Sequence, residues 1–241
     1  MALNQYIDHT LLKATATPEA IVKLCEEAKA YRFFAVCING CYVSLAAQQL
    51  KASEVKIAAV VGFPLGAMSK QAKVCEAEQA IKDGANEIDL VLNVGFLKAG
   101  KQAEVQAEIA AVKQAIGNRI LKVILETCYL TDGEIRTACQ LAEKAGADFV
   151  KTSTGFGTGG ATEEAVKIMV AEVGHRLKIK ASGGIRDTAT AKKYIGLGVA
   201  RIGTSSGIEI VAPTRKDQKD LKDIKDPKDK KYTEDTDEHT Y

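Results

Sequence analysis

The sequence predicts an α/β chain folded as a single (β/α)8 barrel, and three observations carry that prediction. Eight short apolar runs alternate with helices or helical turns over about 210 residues. Most of these runs are solidly apolar rather than alternating, as parallel strands covered on both faces are. A glycine closes a helix just before a strand three times, at Gly84-Ala85, Gly146-Ala147 and Gly198-Val199. An open doubly wound sheet uses the same alternation, but no G-x-G-x-x-G fingerprint follows the first strands.

The elements follow in order. Tyr6 to Thr10 opens as a short strand. Thr17-Pro18-Glu19 starts a helix with a threonine cap, proline at the first position and an acid in the first turn, and Ile21, Leu24, Cys25 and Ala28 give it an apolar stripe. Residues 34–38 and 57–61 are strands, with a helix over 42–50 between them. Ser69 caps a helix that stops at Gly84. Residues 87–92 form a strand and 101–116 a helix. Residues 120–125 are a strand, and the capping box Thr131-Asp132-Gly133-Glu134 opens the next helix. The strands 149–152, 177–181 and 200–203 alternate with helices over 162–173 and 187–196, and 206–211 is a short helical turn.

Composition narrows the function classes. The chain has 241 residues, 46% hydrophobic and 27% charged, which fits one globular domain. Its net charge of +2 gives no reason to expect nucleic acid as a partner. No apolar run approaches the ~20 residues that cross a membrane. No secretory h-region opens the chain, and the six cysteines are scattered, so a cytoplasmic location with reduced thiols is expected. The histidines His9, His175 and His239 are too dispersed to suggest a metal site, and no metal or cofactor is expected. The domain spans 1–212. Residues 213–241 repeat Lys-Asp with almost nothing apolar and net charge −1, and are expected to form a mobile solvated tail. Its terminal Tyr241 could instead fold over the barrel mouth, or the tail could dock a partner.

Functional residues of such barrels sit at the C-terminal ends of strands. Those ends read as Asp8, Cys37, Phe63, Asp89, Glu126, Lys151, Lys180 and the run 203–206. Two lysines and several carboxylates therefore converge. A lysine with the reference pKa of ~10.4 is a free amine in roughly one molecule in 2,500 at pH 7, and bringing it to ~7 takes about 4.6 kcal/mol. A like charge at ~4 Å in an effective dielectric of ~20 supplies about 4 kcal/mol. Lysines on neighbouring strands can thus make one of them a nucleophile. Spacing alone does not say which, and Lys178 shares the parity of Lys180. Glycine-rich loops follow three successive strands, at 154–157, 182–186 and 203–207. Their backbone N–H groups and serines suit a phosphate.

Six motifs stand in this chain: Ile7-Asp8-His9-Thr10-Leu11-Leu12, Glu87-Ile88-Asp89-Leu90-Val91, residues 121–127 (LKVILET), residues 149–155 (FVKTSTG), residues 178–186 (KIKASGGIR) and residues 201–207 (RIGTSSG). Co-linear from residue 1 to about 212, they resemble the deoxyribose-phosphate aldolase family, class I aldolases on a (β/α)8 barrel. The resemblance implies reversible cleavage of 2-deoxy-D-ribose 5-phosphate to acetaldehyde and D-glyceraldehyde 3-phosphate, in deoxynucleoside catabolism. It implies a Schiff base on Lys151, with Lys180 depressing the pKa of Lys151 and moving protons, and Asp89 as proton donor and acceptor. Thr154, Gly155, Gly183, Gly184, Ser205 and Ser206 would cradle the phosphate. Asp8, Thr10 and Cys37 would neighbour the substrate. A homodimer is the family expectation. The lysine-rich tail departs from the short bacterial form. The rival readings are another phosphosugar barrel enzyme, either a different Schiff-base aldolase or an isomerase, and a non-catalytic phosphometabolite-binding barrel.

Overall fold

The computed structural model describes residues 2–212. The expectations for residues 213–241, Tyr241 included, lie outside the described residues. Eight strands, β1 (Ile7–Leu11), β2 (Ala35–Ile38), β3 (Lys56–Val61), β4 (Glu87–Val91), β5 (Ile120–Ile124), β6 (Phe149–Lys151), β7 (Lys178–Ser182) and β8 (Arg201–Thr204), close into a barrel in sequence order. Every neighbouring pair is parallel, and β8 returns to β1 with Asp8 opposite Gly203. This is the expected (β/α)8 barrel.

Among the described residues, nine helices cover the outside: α1 (Pro18–Ala30), α2 (Val43–Gln49), α3 (Lys70–Lys82), α4 (Val94–Lys98), α5 (Gln102–Ile116), α6 (Asp132–Lys144), α7 (Glu163–Val173), α8 (Thr188–Gly196) and α9 (Gly207–Val211). The starts of α1, α3 and α6 follow the caps read from sequence, and Thr162 and Asp187 cap α7 and α8 in the same way. The side chains of Thr17, Ser69, Thr131, Thr162 and Asp187 each accept a first-turn N–H, and Thr131 with Glu134 completes a capping box. The predicted stripe of α1 is buried as expected. The sequence reading has no counterpart to α4. Asn93 caps it by accepting from the Phe96 N–H at 3.0 Å. At five residues it is too short for a helical period to show.

The core lies between helices and barrel, where outward side chains such as Val36, Ile57, Ile88, Leu121, Val150 and Ile179 are buried. A smaller apolar cluster of Leu12, Cys37, Ala58 and Val60, with Phe63 against it, stands apart from it on the β1–β3 side. One ion pair is also buried in this shell. Lys73 of α3 has no exposed surface, and its Nζ donates to the Gly66 carbonyl at 2.7 Å, the Val91 carbonyl at 2.9 Å and Glu108 of α5 at 2.5 Å. It joins the loop after β3 to the end of β4. Burial pushes Lys73 down and Glu108 up from their ordinary pKa values.

Removing one partner of a buried pair strands the other charge. Lys73→Met is therefore expected to cost about 3–5 kcal/mol of unfolding free energy, measured by urea denaturation. The double variant Lys73→Met/Glu108→Leu is expected to recover much of that loss.

Candidate active site

Barrel interiors are usually packed with branched apolar side chains. Here one side of the interior is charged. Asp8 (β1), Glu87 and Asp89 (β4), Lys122 (β5), Lys151 (β6), Lys180 (β7) and Arg201 (β8) are all buried, three carboxylates against four cations. The register makes neighbours of them: Asp89 pairs with Lys122, Lys151 with Lys180, and Lys180 with Arg201.

Asp89 is the hub. Its Oδ1 accepts from Lys122 Nζ at 2.7 Å. Its Oδ2 accepts from both Lys151 Nζ and Lys180 Nζ, each at 2.8 Å. The two ammonium groups are thus no further apart than twice that distance. Lys122 also reaches Glu87 at 2.6 Å, and Lys180 also pairs with Asp8. Arg201 completes the circuit, with Nε 2.7 Å from Asp8 Oδ1, Nη2 3.0 Å from Glu87, and its guanidinium 3.5 Å from the centre of the Phe34 ring.

The pKa directions follow. Burial would raise Asp89, but Lys122, Lys151 and Lys180 outweigh it and hold the group well below the usual carboxylate range. Burial likewise opposes ionisation of Asp8, but Arg201 and Lys180 bring it down to about 2. Burial would lower Lys180, but Asp8 and Asp89 raise it, so it stays cationic at neutral pH. Cys37, 3.8 Å from Asp89, is pushed up by burial and remains a thiol.

Above the cluster opens a cavity of about 350 Å3. Of the four buried lysines among the described residues, Lys73, Lys122, Lys151 and Lys180, only Lys151 lines it. Thr10, Thr154, Gly155, Gly183, Gly184 and Ser205 line it as well. Ser206 does not, and its N–H is committed to the Thr204 hydroxyl at 2.9 Å. Asp8 and Cys37 lie beneath the cavity rather than on its wall. Lys178, which shared parity with Lys180, is exposed at the opposite end of β7, its Nζ 5.8 Å from the Phe149 ring centre.

The placement corrects the sequence reading of strand ends. Asp8, Asp89 and Lys180 sit inside their strands, not at the ends, whereas Lys151 is the last residue of β6. The buried charges therefore form a floor and Lys151 stands at its upper edge. Sequence reasoning missed Glu87, Lys122 and Arg201 in this floor. The available signal was charge at alternate positions of otherwise apolar runs, Glu87 and Asp89 in one and Lys122 inside 120–125 in another. It also gave no role to Lys13 and Arg186, which stand at the cavity rim.

Glycine holds the upper wall in place. Gly183 has φ +86°, and a Cβ there would stand 2.8 Å from Gly160 Cα; a Cβ on Gly160 would meet the Gly183 carbonyl at 2.2 Å. The loops after β6 and β7 thus pack backbone to backbone. Inside the barrel, a Cβ at Gly203 would come 3.1 Å from Lys180 Cε and 2.9 Å from Ser182 Cβ. Its missing side chain is the space that Lys180 occupies.

The family model matching residues 2–210 is described as a DeoC/LacD family aldolase. A relative from Brevibacillus brevis, named deoxyribose-phosphate aldolase, is 54% identical over 211 residues, covering 88% of this chain and 96% of the relative. One of the same name from Coprothermobacter proteolyticus is 52% identical over 215 residues, covering 89% and 98%. Among solved structures, the tetrameric deoxyribose phosphate aldolase from Aeropyrum pernix matches with a TM-score of 0.81 at 31% identity, over 91% of this chain and 92% of that one.

The pH dependence of stability follows from Asp8 and Asp89. Their folded pKa values are depressed, so their contribution is complete above the unfolded value of ~3.9 and is lost as pH falls toward the folded one. Urea midpoints should be flat in this respect above about pH 5 and drop from about pH 4 toward 2. Asp8→Asn should lower the midpoint at pH 7, and the gap from wild type should narrow as pH approaches 2. A gap independent of pH would contradict this account.

Proposed function

The chain belongs to the DeoC/LacD family of aldolases, and from that premise we propose that it reversibly cleaves 2-deoxy-D-ribose 5-phosphate to acetaldehyde and D-glyceraldehyde 3-phosphate through a Schiff base on Lys151. The reading is supported most by one observation. Two lysines share a single oxygen of Asp89, and only one of them, Lys151, lines the cavity.

The chemistry follows from those positions. Lys151 gives up its ammonium proton to solvent in the cavity, and its amine adds to the C1 carbonyl of the open-chain sugar. Loss of water from the carbinolamine leaves an iminium. The C3 hydroxyl releases its proton to a base as the C2–C3 bond breaks. The bonding pair moves into the iminium, which leaves an enamine and frees D-glyceraldehyde 3-phosphate. A proton returned to C2 regenerates an iminium, and water releases acetaldehyde and the amine. Asp89, anchored on Oδ1 by Lys122, takes up and returns these protons, directly or through water. Lys180 keeps a positive charge beside Lys151 and exchanges protons at Asp89 Oδ2. Asp8 acts through Lys180, and Cys37 is a protonated neighbour of Asp89.

The phosphate would lie against the loops after β7 and β8, where Gly183, Gly184 and Ser205 present their backbone, with Gly155 opposite and Lys13 and Arg186 at the rim. Six free thiols fit a reducing compartment, and the cytoplasm, a homodimer and a role in deoxynucleoside breakdown complete the proposal.

Borohydride trapping with acetaldehyde, followed by mass spectrometry of the digest, tests it. The expected adduct is a reduced two-carbon imine on Lys151. Lys151→Ala should lose the adduct and at least about 10³-fold in cleavage rate while keeping its fold. An adduct on Lys180 would reverse the roles of the two lysines. No adduct on a folded, phosphate-binding protein would return the isomerase and binding-barrel readings.

A further inference from the structure

Five carboxylates are buried among the described residues: Asp8, Glu87, Asp89, Glu108 and Glu126. Four of them face a cation: Asp8 and Glu87 face Arg201, Asp89 faces three lysines, and Glu108 faces Lys73. Glu126, only 3% exposed, has no salt-bridge partner among the described residues. Burying a carboxylate without a cation is costly unless its oxygens receive hydrogen bonds. The backbone of Glu126 is unfavourable too, with φ 56° and ψ 62° in the left-handed region that non-glycine residues avoid. Such departures are kept where the surroundings demand them.

What Glu126 receives comes chiefly from one residue. Thr154 donates its N–H to Oε1 at 3.1 Å and its hydroxyl to Oε2. The Thr154 hydroxyl oxygen in turn accepts the N–H of Phe156 at 3.0 Å. A hydroxyl has one proton and two lone pairs. With its proton given to Glu126 Oε2 and one lone pair taken by Phe156, a single lone pair is left. Thr154 lines the cavity three residues after Lys151.

We propose that Glu126 is a positioning residue that fixes the Thr154 side chain as a hydrogen-bond acceptor, and that Thr154 thereby selects acceptor aldehydes carrying a hydroxyl group next to the carbonyl. This rests on the aldolase reading above. Thr154 cannot donate its hydroxyl to a phosphate oxygen while Glu126 holds the proton. It can receive a donor, and between the carbonyl end and the phosphate end the substrate offers hydroxyls. The C3 hydroxyl must surrender its proton during cleavage. The C4 hydroxyl keeps its own throughout, so it is the group suited to a partner that only accepts. In the addition direction this is the 2-hydroxyl of D-glyceraldehyde 3-phosphate.

The test compares addition of acetaldehyde to D-glyceraldehyde 3-phosphate and to 3-oxopropyl phosphate, which lacks that hydroxyl. Each is read as kcat/KM for wild type, Glu126→Gln, Thr154→Val and Thr154→Ser. The wild type should prefer the hydroxylated acceptor. Glu126→Gln and Thr154→Val should each lower that preference by about tenfold or more, mainly through KM for the hydroxylated aldehyde, and Thr154→Ser should retain it within about twofold. Exchange of the acetaldehyde methyl protons with D2O requires the Schiff base but no acceptor, and in each variant should fall by much less than addition to the hydroxylated acceptor does. An unchanged preference in Thr154→Val overturns the proposal. So does a preference lost in Thr154→Val but kept in Glu126→Gln, which leaves Glu126 no part in it. Exchange that falls in step with addition overturns it as well, since that is a loss of scaffold rather than of selection. If Glu126→Gln does not fold, the preference in Thr154→Val and its retention in Thr154→Ser decide. Absence of exchange in the wild type would instead sink the aldolase reading.

Discussion

Three lysines on one carboxylate set the terms for the rest of this molecule. Asp89 binds Lys122 through one oxygen and Lys151 and Lys180 through the other, and none of the four side chains is appreciably exposed. Such a cluster is stable only if every charge has an opposite partner at hydrogen-bonding distance. Glu87, Asp8 and Arg201 meet that need by passing the charge around the barrel wall and back. The barrel makes this possible, because side chains from all eight strands point to one axis. The apolar side chains that β2 and β3 contribute, Cys37, Ala58 and Val60, bound the charged half.

The arrangement also separates jobs that a chemist would want separated. Lys122 does not line the cavity, and its Nζ holds Asp89 Oδ1 at 2.7 Å. Lys180 is sealed below the cavity and remains charged. Lys151 ends β6, with the next residues tied to β7: Thr152 donates its hydroxyl to the Ser182 carbonyl at 3.1 Å, and Ser182 donates its own to the Ser153 carbonyl at 2.6 Å. The one buried lysine that lines the cavity is therefore the one at the boundary between fixed floor and open loop. Precision of this kind comes from strands more than from loops.

Much of this was legible beforehand. The barrel followed from alternation, from solidly apolar strands and from caps, because each of these is a local consequence of backbone hydrogen bonding. Lys151, Lys180 and Asp89 stood out because ionisable groups in apolar runs need a reason, and a family resemblance sharpened their roles. What stayed hidden was pairing across the barrel. Arg201 and Asp8 lie 193 residues apart in the chain, and Lys180 and Asp89 lie 91 apart, so no spacing rule joins them. Which lysine faces the cavity was hidden too, since parity along a strand fixes the face but not the depth. Glu126 was visible as a carboxylate past a strand end. That it lacks a cation and holds Thr154 depends on the loop after β6, which has no periodicity to read.

The backbone contact between Gly160 and Gly183 bears on how this scaffold can change over generations. Neither position can acquire a side chain without parting the two loops, so selection cannot reshape that wall by substitution there. The rim is free of this restriction, because Lys13 and Arg186 are exposed. Descendants that come to favour a less anionic substrate would be expected to differ first at those two positions, while the paired glycines pass through the lineage unaltered.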